Sequence, residues 1–203
     1  MRRPVLTSLA ITAASGALIG LGAIPASADT SITATYPVSG STFIKALNST
    51  VSLGPGTLTS TVDLNTSAVT SSTLSLPPAT GSFKELGFIP VTATTAFVQD
   101  GNATGTVSLS KNTVSVTTQV TMQLTSLKIA GVPVLIGKSC QTSTPATITV
   151  SSQPGFNVLN GGTVAGTYTI PKFSHCGLGT LLINLTIPGS GNTISLTLGK
   201  ATL

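Results

Sequence analysis

From residue 31 onward apolar and polar side chains alternate with a period of two, and that period matches a half-buried β-strand and no helix. Ile32, Ala34 and Tyr36 fall on one face; Leu58, Ser60, Val62 and Leu64 repeat the pattern, as do Val91, Ala93, Thr95 and Phe97. The longest run is Val114, Val116, Thr118, Val120, Met122 and Leu124. The alternating segments are rich in Val, Ile and Thr, whose branched side chains suit a pleated surface. Turn-forming residues separate them: Gly54-Pro55-Gly56, Pro77-Pro78, Asp100-Gly101, Lys111-Asn112, Ala130-Gly131, Gln153-Pro154-Gly155 and Asn160-Gly161-Gly162. Roughly ten or more short strands and no long amphipathic helix predict an all-β fold, an antiparallel β-sandwich or a partly closed barrel. The one helical candidate is Leu178 to Asn184, worth one or two turns near the C-terminal end.

Outward positions carry Thr and Ser where Lys and Glu are common elsewhere, so the expected surface is polar and nearly uncharged. Edge strands with so few charges would be open to pairing with another chain. Threonine-rich strands also suit a β-solenoid or an ice-binding face, but no fixed repeat is present. The tract 71–80, SSTLSLPPAT, is the most linker-like, and reads better as a strand stopped by two prolines. Asn-x-Ser/Thr triplets begin at Asn48, Asn65, Asn102 and Asn184, as chance allows in such a Ser/Thr-rich chain.

Residues 1–28 read as an export signal: Arg2 and Arg3, an apolar run from Val5 to Ala23, then Ala26-Ser27-Ala28 as a small-residue cleavage site. A membrane anchor is the competing reading, but the run is short and Gly20, Gly22 and Pro25 weaken its far end as a helix. No later stretch is long and apolar enough to span, so residues 29–203 are expected as one domain, secreted, extracellular or loosely held at the cell wall. Without the signal, the cations are Lys45, Lys84, Lys111, Lys128, Lys138, Lys172 and Lys200, set against Asp29, Asp63, Glu85 and Asp100. They form no run and include no arginine for bidentate phosphate contacts, so nucleic acid is not expected as a partner.

Three near-motifs fail on their chemistry. Gly137-Lys138-Ser139 ends like a phosphate-binding loop, but five residues separate Gly131 from Gly137 where four are needed. Asp100-Gly101-Asn102-Ala103-Thr104-Gly105 begins like a calcium loop whose twelfth position, a bidentate glutamate in that motif, is Lys111. His175-Cys176 suggests a thiol nucleophile, but neighbours on an extended strand point to opposite faces. An exported chain with two cysteines most simply joins them, and a Cys140–Cys176 disulfide would stabilise the fold by roughly 3–4 kcal/mol. His175 would then serve only a serine, with Asp63 or Asp100 to orient it, and no G-x-S-x-G elbow is present. Four scattered carboxylates offer no glycosidase pair. No enzyme activity, metal or cofactor is expected.

The strings GTYTIPKFSHCGLGTLLINLTIPGSGNTISLTL, LGFIPVTATTAFVQDGNATGTV and GKSCQTSTP resemble a group of uncharacterised secreted all-β proteins of actinobacteria. The most specific letters are Ile170-Pro171, Phe173, Cys176-Gly177, Asn184, Gly189 and Asn192-Thr193, with Cys140 in the preceding half. The resemblance implies an exported β-sandwich-like domain with paired cysteines, and brings no catalytic residue or ligand.

The leading functional expectation is a non-enzymatic module acting by surface contact with an envelope partner. A second is carriage of an apolar small molecule such as a lipid, in a barrel or between sheets, with Leu178, Leu181, Leu182 and Leu185 as a flap over the cavity. Carbohydrate binding is a third, handicapped by the absence of Trp and by having only Tyr36 and Tyr168 as tyrosines.

Overall fold

In the computed structural model, which describes residues 30–85 and 88–203, the alternating segments become thirteen strands. The expected export signal and Asp29 lie outside the described residues, as does the side chain of Glu85. In chain order the strands are β1 (Ser31–Ile44), β2 (Ser49–Asp63), β3 (Ala68–Ser75), β4 (Ala79–Glu85), β5 (Ile89–Gln99), β6 (Thr104–Ser108) and β7 (Thr113–Ile129). Then come β8 (Val132–Pro133), β9 (Gln141–Thr142), β10 (Ala146–Ser152), β11 (Gly162–Ile170), β12 (Phe173–Ser174), the single α-helix among the described residues, α1 (Thr180–Thr186), and β13 (Gly189–Leu198). The helical candidate is thus borne out, preceded by a 3-10 turn at Gly177–Gly179.

Of the two architectures expected, the barrel is the one observed, and it is fully closed. Eight strands run β7, β10, β11, β13, β1, β2, β3 and β6 and return to β7, each pair antiparallel. β7 makes closure possible by its length. Its first half pairs with β6 through Thr113–Thr117 and with β10 through Ser115–Val120. Beyond Val120 the edge that β6 leaves is taken by β5, and β4 pairs in turn with β5. Closure pairs each of the eight barrel strands on both sides, while β4, paired among the described residues with β5 alone, keeps one open edge.

The hairpin β4–β5 lies outside the barrel circuit and packs back over the start of β2. A Cβ at Gly81 would stand 2.7 Å from the Val51 side chain, so the approach needs a residue without one. Gly54-Pro55-Gly56, expected as a turn between strands, is instead a bulge inside β2: Val38 pairs with Gly56 and Gly40 with Leu53. Gly54 supplies the positive φ of +85° that the extra residue requires. The other turn sequences fall between strands as expected, except that Gly162 already opens β11.

The cysteines are joined, Cys140 to Cys176, and both are fully buried. The bond ties the loop after β8 to the segment before α1. Asn184 secures the same helix to β12: its Oδ1 accepts from the Phe173 N–H (2.7 Å) and its Nδ2 donates to the Phe173 carbonyl (2.8 Å). Ile183 and Ile187 turn inward from α1 and are buried.

Outside, facing strands carry hydroxyl ladders. Thr33 meets Thr61 at 2.8 Å, Thr80 meets Thr94 at 2.9 Å, and Thr117 meets Thr149 at 2.8 Å. Such cross-strand pairs help hold register while presenting a polar wall to water.

Candidate functional site

An eight-stranded barrel is just wide enough for its interior side chains to fill it or for one small ligand to lodge there. Filling needs bulk, and this chain is only 4% aromatic. Tyr36, Phe97, Phe156 and Tyr168 are the aromatic residues of the lumen wall; the rest is mostly Leu, Ile, Val and Ala, with Ser60, Ser72 and Thr118 among them. A cavity of about 480 Å³ remains inside the barrel. The alternating residues read from the sequence line it: Ile32, Ala34 and Tyr36 from β1, Leu58, Ser60, Val62 and Leu64 from β2 and the turn after it, and Val114 through Met122 from β7.

The exposed lining residues stand at one end. Leu64 follows β2, Leu109 sits in the β6–β7 turn, Leu159 in the β10–β11 connection and Leu203 beyond β13. They ring a mouth where all eight strands have their ends. Asn112 braces that rim, because its Oδ1 accepts from Asn157 Nδ2 (3.1 Å) and more weakly from the Val158 N–H (3.4 Å). Tyr36 adds a bond from its hydroxyl to the Val158 carbonyl (2.9 Å).

The opposite end is floored. Thr42, Phe97, Met122 and Tyr168 line both the lumen and a smaller void of about 50 Å³ below it, which Phe83, Phe173 and Ile187 help enclose. Thr42 donates its one hydroxyl proton to the Thr193 carbonyl (2.9 Å), so in the 2.7 Å contact between Thr42 and Tyr168 the phenol is the donor. Burial raises the pKa of Tyr168, and burial raises that of Tyr36 as well. Both phenols are neutral at ordinary pH. Gln99 at the same level is saturated: Nε2 donates to the carbonyls of Ser72 (2.6 Å) and Gly101 (3.0 Å), and Oε1 accepts from the Leu74 N–H (3.0 Å). Thr118 Oγ1 is buried in the wall with no hydrogen-bond partner.

The other candidates are scattered. His175 is exposed with a φ of 60°, its Nδ1 3.0 Å from Ser174 Oγ, and Cys176 beside it holds no thiol. Asp63 serves the β2–β3 turn at the mouth, accepting from the N–H groups of Asn65 (2.8 Å) and Thr66 (3.1 Å). The Thr66 and Asn65 N–H groups hold its carboxyl below the usual aspartate range. Asp100 accepts from the Thr121 hydroxyl (2.6 Å). Lys138 and Ser139 lie in the turn leading to Cys140, and Gly137 sits against the His175 carbonyl, where a Cβ would come within 2.2 Å. Among the described residues no three His, Cys, Asp or Glu side chains gather as metal ligands.

Leu178, Leu181, Leu182 and Leu185, expected as a flap, stand on the outer side of α1 and of the turn before it, all exposed. None lines the lumen, and α1 sits at the floor end, where β13 begins, rather than at the mouth, where β13 ends. The period of the helix put Ile183 and Ile187 inward and so turned these leucines away. Of the mouth leucines, alternation had reached Leu64, but sequence reasoning missed Leu109, Leu159 and Leu203, which lie in connections and the tail where alternation breaks off.

The chain matches no protein-family model, no curated protein and no solved structure.

Proposed function

We propose that the protein binds an apolar small molecule inside its barrel and carries it outside the cell without chemical change. The observation that carries this reading is the 480 Å³ lumen, walled by apolar side chains and open at a leucine-ringed mouth. Ligand sites commonly span about 300–1,000 Å³. An engineered 150 Å³ apolar cavity holds benzene, so this one has room for roughly twenty non-hydrogen atoms. The polar wall outside and apolar lumen inside are the reverse of a membrane barrel, whose apolar side faces lipid. Among the described residues no helix is long and apolar enough to cross a membrane, and a disulfide suits an oxidising compartment. The test is native and then denaturing mass spectrometry of protein secreted by its own host. An adduct of a few hundred daltons released on denaturation, and recovered in an organic extract, supports carriage. Bare protein that also takes up no Nile red overturns it.

A second reading, surface contact with an envelope partner, is favoured by one feature: the exposed leucines of α1 with Leu135, whose neighbour Ile136 adjoins Gly179 at the start of the helix. Replacing Leu178, Leu181 and Leu185 together by Ser would abolish envelope association under this reading and leave lumen binding intact. Retained association would remove the patch as the contact. The carbohydrate reading has less support, because both tyrosines are buried and offer no stacking face.

A further inference from the structure

Resting on the lumen reading, we infer that the ligand is an uncharged lipid alcohol, bound hydroxyl first, whose hydroxyl donates to Tyr168 at the lumen floor. Two independent features point there. The first is the absence of charge: among the described residues no Lys, Arg, His, Asp or Glu lines the cavity. A carboxylate or ammonium taken inside would leave water with no ionic partner, which disfavours it strongly. Lys111 and Lys200 come within a few residues of mouth leucines but do not reach the lining.

The second feature is the direction of the hydrogen bonds at the floor. Thr42 has spent its proton on the Thr193 carbonyl, and Tyr168 has spent its own on Thr42. What Tyr168 retains is a lone pair. Gln99, with both amide protons and its carbonyl engaged, offers no competing donor. Thr42, Tyr168 and Gln99 therefore have no proton to give, and the unpartnered Thr118 hydroxyl, level with Tyr168 across Ile148, is buried in the wall rather than presented to the lumen. These floor groups favour a hydroxyl over the ether or ester of the same shape.

The experiment uses the full secreted chain, freed of lipid, with hexadecanol, hexadecyl methyl ether and hexadecanoate each displacing Nile red at pH 8. One net hydrogen bond predicts that the alcohol binds roughly three- to tenfold more tightly than the ether, and the carboxylate more weakly than the alcohol. Tyr168→Phe should erase the difference between alcohol and ether while Nile red still binds. Thr42→Val frees the phenol proton and should shift preference toward the ether, a change of sign that a merely damaged fold would not produce. Equal binding of alcohol and ether to the unmodified protein, or tighter binding of hexadecanoate with its head at the mouth, overturns this inference and leaves carriage standing. Failure of Nile red and all three probes removes carriage itself, and this inference with it.

Discussion

Val116→Phe separates a true lumen from a packed core by the sign of its effect on stability. Val116 lies on β7 midway along the cavity wall, and its partner across one edge of β7 is Gly105, which contributes no side chain. Phenylalanine adds four carbons. If they enter empty apolar space, burial at about 0.8 kcal/mol per carbon gives an upper bound of ~3 kcal/mol. Ordering the ring and imperfect contact on its open side reduce that to a net stabilisation of about 1–2 kcal/mol. In a filled core the same change would force neighbours off their rotamers and cost about 1–3 kcal/mol. Urea unfolding of lipid-free protein reads the difference as a shift of midpoint at constant slope. The variant should also lose Nile red binding, since the ring occupies the ligand's place. A midpoint that falls, with probe binding unchanged, would show that the space is not available and would refute the reasoning.

Three further outcomes are expected. Replacing Cys140 and Cys176 together by Ser should cost about 3–4 kcal/mol, read by denaturant unfolding, and the intact protein should weigh two hydrogens less than its reduced form. Asn192→Ala should cost about 2–4 kcal/mol, because this fully buried amide donates to the carbonyls of Gly189 (2.7 Å) and Tyr168 (3.3 Å) and accepts from the Lys45 N–H (3.0 Å). A thermal melt unchanged from the unmodified protein would contradict that role. Asp63, whose carboxyl is held below the ordinary aspartate range by the Thr66 and Asn65 N–H groups, contributes stability present above its unfolded pKa and lost as pH falls through the lower folded value. Asp63→Asn should therefore narrow its stability gap from the unmodified protein below about pH 4, and a gap constant from pH 2 to 7 would exclude the linkage.

Much of the fold was legible because strand residues announce their environment locally. The inward residues of β1, β2 and β7 were readable as one face, and the same letters line the lumen. The cysteine pairing was readable too, since two cysteines in a chain read as exported leave one simple arrangement. Gly54-Pro55-Gly56 misled because a bulge and a turn use the same residues: both need positive φ, and only pairing with β1 on either side tells them apart. Alternation also assigned Leu58, Val62, Val116 and Val120 to a buried face without saying whether another side chain or a ligand meets them there.

The sequence by itself determined the period of the chain, the polar character of its outer wall and the class of fold, because each depends on neighbours two residues apart. Only the tertiary structure decided that β7 joins β10 on one edge and β6, then β5, on the other, and so closes the barrel. Closure sets the diameter of the lumen, and the diameter against the summed bulk of the inward side chains leaves the cavity. Neither quantity belongs to any one segment. The hydrogen-bond chain at the floor likewise needs Thr42, Tyr168 and Thr193, from three different strands, to meet within hydrogen-bond distance.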